Sequence, residues 1–153
     1  ELFNAYPGKH FGIEIKQAPP EIAQPFCALI RKHNLQDKAL VSSFRQENMD
    51  AFRRACPEVA TSATQNEATV FVIFSLLGLE HVLTPAYQSL QVPERNSGIA
   101  VLTPRLIAAA RNRNLLVQPW TINSEDDLRR VVALGVDGIN TDFPDRLLSI
   151  LGR

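Results

Sequence analysis

Val117-Gln118-Pro119-Trp120-Thr121-Ile122-Asn123, followed by Gly135-Val136-Asp137-Gly138-Ile139-Asn140-Thr141-Asp142-Phe143-Pro144, is the stretch on which the fold is decided. It reads as strand, helix, strand. Leu115 to Ile122 is a nearly continuous apolar run, as expected for a strand covered on both faces. Ser124 is placed to cap the next helix, whose inner face is Leu128, Val131 and Val132, and Gly135 ends it at the C′ position. Gly138 to Thr141 is the last strand, and Asp142 is placed to cap a final helix packing Leu147, Leu148 and Leu151. A Trp, an Asn and a Thr-Asp pair therefore fall at strand carboxyl ends, which in a parallel α/β barrel form the active-site rim.

The alternation extends back through the chain. Gly12 to Lys16 alternates apolar and polar residues and is strand-like. Past Pro19 and Pro20 a helix presents Ile22, Phe26, Leu29 and Ile30. Ala39 to Ser42 is a second strand. Ser43 with Gln46 resembles a capping box opening a helix that buries Met49, Phe52 and Cys56 and stops at Pro57. A weak strand at Val59 to Ser62 leads to a helix over about Asn66 to Leu79, with Val70, Phe71, Phe74 and Leu77 inward. Leu90 to Val92 is a short strand between loops, and Thr103-Pro104 starts a helix with Leu106, Ile107 and Ala110 inside. Six strand-helix units follow from this reading. Single helices between strands imply right-handed crossovers and a parallel sheet. Six units suit an open doubly wound sheet or three quarters of an eight-unit barrel, and periodicity does not choose between them.

The 153 residues suffice for one domain with a core. A net charge of zero argues against a broad nucleic-acid surface and leaves room for a small phosphate site. The longest apolar stretch, Ala68 to Leu79, is too short for a membrane span. Cys27 and Cys56 form no CxxC and have no neighbouring His, so they read as two buried free thiols.

Glu14 and Lys16, two apart on a strand, point to one face. They are either a mutual salt bridge on an exposed face or, in a barrel interior, groups needing partners such as a metal ion and a phosphate. Trp120 is a core aromatic or a wall against a substrate's carbon skeleton. Asn123 reads as a turn or helix-entry residue. Asp142 is an N-cap or a carboxylate supporting the barrel mouth. His10, His33 and His81 form no metal spacing and read as surface residues. Glu125-Asp126-Asp127 complements a helix dipole. No nucleophile elbow, Walker loop or dinucleotide fingerprint is present.

Four stretches together resemble the glycerophosphodiester phosphodiesterase family. They are Ile13-Glu14-Ile15-Lys16; Val41-Ser42-Ser43-Phe44; Tyr87 to Pro93 running through Leu102-Thr103-Pro104; and Trp120-Thr121-Ile122-Asn123 with Thr141-Asp142-Phe143-Pro144. Each alone is weak, but they occur in the family's order over nearly the whole chain. The resemblance implies a TIM-type (β/α)8 barrel that hydrolyses glycerophosphodiesters to sn-glycerol 3-phosphate and an alcohol. It implies a divalent ion, Mg2+ or Ca2+, with Glu14 as a metal ligand, Lys16 as a phosphate contact and Trp120 lining the glycerol side. The partner implied is a small-molecule substrate, with no nucleic acid and no membrane span.

The first strand here matches the family's third, so residues 1–153 are expected to be a single incomplete barrel domain carrying the third to eighth strands. The family's opening His-Arg pair, the Glu-x-Asp after it and a second His have no counterpart. No acid or base is therefore expected among these residues, and the chain alone is expected to be inactive. Phe143 stands where the family often has Arg, and Ala110-Arg111 where Ala-His is frequent. A related phospholipase D or sphingomyelinase-like barrel, and a non-catalytic barrel remnant acting as a binding module, are the alternative readings.

Overall fold

Strands and helices alternate over much of the computed structural model, which describes residues 1–16 and 19–153, but a hairpin interrupts the order after residue 93 and no strand separates the last two helices. The chain divides into two units, residues 1–67 with 86–88 and residues 68–85 with 89–153.

In the first unit, β1 (Phe11–Glu14), β2 (Ala39–Ser42) and β3 (Ala60–Thr61) form a parallel sheet in that order. Register partners share a face, so Ile13, Val41 and Thr61 align on one side and Glu14 and Ser42 on the other. The core joins Ile15 and Val41 to α2 (Ala23–Lys32) and α3 (Gln46–Ala55), through Cys27, Ile30, Met49, Phe52 and Cys56. Met49, Phe52 and Cys56 are buried as expected. On α2 the buried face is Ala23, Cys27 and Ile30, whereas Ile22 and Leu29 are exposed. A short α1 (Leu2–Ala5), unforeseen in the sequence, brings Phe3 edge-on to Phe11, at 4.9 Å between ring centroids, and to His33.

The two cysteines are not free thiols. Cys27 and Cys56 form a disulfide with their Cα atoms 5.6 Å apart and a sequence separation of 29. The expectation failed because the pairing arises from α2 packing on α3, which spacing along the chain does not reveal. Closing a loop of that length restricts the unfolded chain by about 3 kcal/mol. The double variant Cys27→Ser/Cys56→Ser is therefore expected to lose about 3 kcal/mol in urea unfolding, and reductant should destabilise the wild type by a similar amount.

Helix α4 (Gln65–Leu77) leads into the second unit. Phe71 is buried on it, but Val70 and Leu77 face solvent, against expectation. This helix is apolar on most sides, so its periodicity does not define an inner face. The unit continues with β4 (Ser89–Pro93), an antiparallel hairpin of β5 (Arg95–Asn96) and β6 (Ile99–Ala100), α5 (Pro104–Asn112), β7 (Leu116–Trp120), α6 (Glu125–Ala133) and α7 (Pro144–Ile150). β4 and β7 run parallel, pairing Leu90 with Val117, Gln91 with Gln118 and Pro93 with Trp120. On one face Ser89 and Gln91 both donate to Gln118 Oε1.

The helix boundaries of this unit follow local chemistry. Thr103 caps α5 ahead of Pro104, Ser124 caps α6, and Gly135 adopts a φ of +73° just past α6. Leu106, Ile107 and Ala110 are buried on α5 and Leu128 and Val131 on α6. β7 is not covered on both faces: Val117 and Pro119 are buried while Leu116 is exposed. Leu148 and Leu151 at α7 are also exposed, so that helix packs less of its surface than its sequence implies.

Residues 138–141 form no regular strand. The segment still runs beside β7, with Asp137 N–H donating to Val117 O (3.0 Å), Asn140 N–H to Pro119 O (2.9 Å) and Ile122 N–H to Asn140 O (3.0 Å). A regular ladder is interrupted because Pro119 has no N–H to donate, the Asp137 carboxylate accepts from Val117 N–H at 2.8 Å, and the bonds to Val117 O and Pro119 O come from residues three apart rather than two. Residues 138–141 are thus irregular where the sequence predicts a strand.

Candidate active site

Glu14 ends β1 and Lys16 lies two residues beyond it, after Ile15. Their side chains meet, with Lys16 Nζ 3.6 Å from Glu14 Oε2; Lys16 is 74% exposed and Glu14 30%. So open a pair contributes about 0–1 kcal/mol, and it leaves both groups accessible to a third partner. The main chain between them is fixed. Ile15 N–H donates to Ser42 O at 2.8 Å, and Ser43 Oγ donates to Ile15 O at 2.7 Å. Ser43 is therefore not the helix cap expected from its spacing to Gln46; α3 starts after Arg45 with no side-chain cap.

A charged network lies behind β3, in the first unit. Arg53 donates to both Glu67 carboxylate oxygens (2.6 and 3.0 Å), to Thr61 Oγ1 (3.1 Å) and to Ser62 O (3.1 Å), and its guanidinium faces the Tyr87 ring. Thr64 N–H donates to Glu67 Oε2 while Glu67 N–H donates to Thr64 Oγ1, a reciprocal capping box at the start of α4. Burial pushes the Glu67 carboxyl up, but the hydrogen bonds from Arg53 and Thr64 outweigh it and hold it below the ordinary range. Burial, with Glu67 nearby, raises the Tyr87 phenol to about 12. Sequence reading missed this centre, although Thr64-Gln65-Asn66-Glu67 is a better capping-box pattern than Ser43 to Gln46.

In the second unit Trp120 closes β7 and is half-buried, beside Pro93 of β4. Asn123 follows it. Its Nδ2 donates to Asp142 Oδ2 at 2.8 Å, and its Oδ1 accepts from Asp142 N–H at 3.0 Å and Thr141 Oγ1 at 3.3 Å. Asp142 consequently does not cap α7, because its carboxylate is committed to Asn123; Phe143 occupies the cap position with no side-chain bond. Arg146 lies over the Phe143 ring at 3.9 Å and donates to Asn123 O at 3.0 Å. The sequence expectations for Glu14 and Lys16 converge on one place, and Trp120 belongs to the other unit.

The histidines bring no acid or base to Glu14 within hydrogen-bonding reach. His10 and His81 are exposed, and His33 ends α2 against Phe3. Among the described residues, the group of three His, Cys, Asp or Glu side chains close enough to share an ion is Cys27, Cys56 and Glu58, whose two sulfurs are bonded to each other. No such group includes Glu14. Even Mg2+, which keeps water ligands, is usually held by one or two carboxylates together with phosphate oxygens, and Ca2+ takes roughly six to eight oxygens, so Glu14 alone supplies only part of a centre. The described residues therefore do not by themselves fit a resident metal ion.

A sequence model of the glycerophosphoryl diester phosphodiesterase family matches residues 2–146. The chain belongs to this family. A glycerophosphodiester phosphodiesterase of Bacillus altitudinis is 27% identical over 135 residues, covering 86% of this chain and 50% of that protein. One from Caldanaerobacter subterraneus is 24% identical, over the whole of this chain and 60% of its own length. The chain thus spans about half to three fifths of the curated relatives it matches. The crystal structure of a glycerophosphodiester phosphodiesterase from Agrobacterium tumefaciens superposes with a TM-score of 0.68 at 22% identity, over 94% of this chain and 56% of that one. The fold is accordingly the α/β architecture of the family's TIM barrels, whose enzymes generally use a divalent metal ion.

Proposed function

We propose that the full-length protein hydrolyses glycerophosphodiesters, releasing sn-glycerol 3-phosphate and an alcohol. The observation carrying this reading is the family match over residues 2–146. The Glu14–Lys16 pair at the carboxyl end of β1 supports it, because that end of a barrel strand is where catalytic groups gather. Residues 1–153 are one part of a single barrel domain in this reading. Lys16 acts as a point cation beside the substrate phosphate, neutralising charge that grows during phosphorus–oxygen cleavage. Trp120 lies along the glycerol carbons. Glu14 is one carboxylate of a Mg2+ or Ca2+ site in this reading, and that site needs further oxygen ligands. That ion would supply Lewis acidity toward the phosphoryl oxygens. The substrate is a small molecule, and the neutral net charge offers nothing that would recruit a nucleic acid.

Among the described residues no histidine is partnered with the Glu14–Lys16 pair, and the 153-residue chain on its own is expected to be inactive. Glycerophosphocholine is the test substrate, with release of sn-glycerol 3-phosphate followed enzymatically. The full-length protein should turn it over and stop when chelator is added; the 153-residue chain should give no rate above background. A full-length protein with no metal-dependent hydrolysis of any glycerophosphodiester would refute the activity. Appreciable turnover by the isolated chain would refute the account of its missing acid and base.

A further inference from the structure

The hydrogen bonds around Trp120 have no place in the chemistry just described, yet they converge on it from one short segment. Asn140 bonds on both sides of Trp120–Thr121, its N–H donating to Pro119 O and its carbonyl accepting from Ile122 N–H. One residue further along, the Asn123 side chain uses both ends of its amide on the same segment. Nδ2 binds the Asp142 carboxylate at 2.8 Å, and Oδ1 receives Asp142 N–H and the Thr141 hydroxyl. Arg146 then closes on the Asn123 carbonyl. Trp120 thus sits on a turn fastened ahead of it and behind it to residues about twenty positions away.

A turn needing only an entry residue for α6 would not use this chemistry, because Ser124 already caps that helix. An amide is required because the contacts ask for a donor and an acceptor on one planar group. Aspartate would keep the acceptor, lose the donor and face the Asp142 carboxylate with like charge. We propose that Asn123 is a positioning residue, locked by Asp142 and Thr141, that holds Trp120 in the orientation the substrate meets. The proposal rests on the role given to Trp120 above.

Trp120 is the single tryptophan of the chain, so its fluorescence reports this position alone. In the full-length protein other tryptophans would be replaced by phenylalanine. Asn123→Ala should shift the emission of Trp120 and raise its acrylamide quenching about twofold, as the turn loosens. KM for glycerophosphocholine should rise about tenfold with kcat within about twofold, the pattern of lost uniform binding. Asp142→Ala, at an exposed residue, removes the same bond from the other side and should reproduce both effects if Asn123→Ala fails to fold. Asp142→Asn keeps an acceptor for Asn123 Nδ2 and should restore wild-type values.

Emission and quenching unchanged in both alanine variants would overturn the lock. Altered quenching with an unchanged KM would uphold the lock and overturn the placement of Trp120 against substrate. The failure of each idea is therefore visible separately.

Discussion

Glu14→Ala in the full-length protein is expected to lower kcat/KM for glycerophosphocholine at least about 100-fold, the scale of losing one electrostatic stabiliser in an active site. Hard cations are held by the number and charge of their oxygen ligands, so the same change should weaken Mg2+ or Ca2+ binding. Glu14→Gln keeps an oxygen but removes the charge, and should fall between the two. The fold should survive. Glu14 ends its strand on the solvent side and its pair with Lys16 is open, so the unfolding free energy should stay within the range of ordinary surface changes, about ±0.5 kcal/mol. Direct metal titration by calorimetry and steady-state kinetics on the same preparations check this. If both activity and metal binding are intact, Glu14 is not a ligand.

Arg53→Ala is expected to destabilise the protein by about 4 kcal/mol, because it strands the Glu67 carboxylate without its bidentate partner and leaves Thr61 and Ser62 short of donors. In a chain of this size that is a fall in melting temperature of very roughly 10 °C. The effect must depend on pH. Glu67 has a folded-state pKa below its unfolded one, so its contribution is present above the unfolded value and is lost as pH falls through the lower folded value. The difference between wild type and Arg53→Ala should therefore be full near neutrality and shrink below about pH 4. Glu67→Gln should show less pH dependence than the wild type in that window. Denaturant unfolding from pH 3 to pH 7 measures both. A gap that stays constant across the range would show that Arg53 acts through packing and not through the ion pair.

Where the chain's own local chemistry determines structure, the sequence was legible. Ala39 to Ser42 is bounded by polar residues and became β2 as read. Thr103, Ser124 and Gly135 took the cap and stop roles their chemistry favours. Reading failed where a distant partner outbid the local one. Asp142 stands at a good cap position but is taken by Asn123 from nineteen residues away. Ser43 has the right spacing for a capping box, yet its hydroxyl reaches Ile15 O instead. Cys27 and Cys56 pair only because two helices pack. The pattern of Gly138 to Thr141 predicts a strand, but Pro119 opposite it has no N–H to donate and the Asp137 side chain takes up Val117 N–H. Of the candidate site, the convergence of Glu14 and Lys16 follows from strand periodicity alone; the roles proposed for Lys16 and Trp120 rest on family resemblance, since an exposed cation and a half-buried aromatic have many ordinary explanations.

The grip of β2 on Ile15 bears on how this region can change. Both polar atoms of the Ile15 main chain are held by neighbouring residues, one by the Ser42 carbonyl and the other by the Ser43 hydroxyl. The spacing of the carboxylate and the ammonium on either side is thereby inherited from another strand's exit loop. An engineer who shortens or regrafts residues 43–45 would be editing the separation of those two charges without touching either of them.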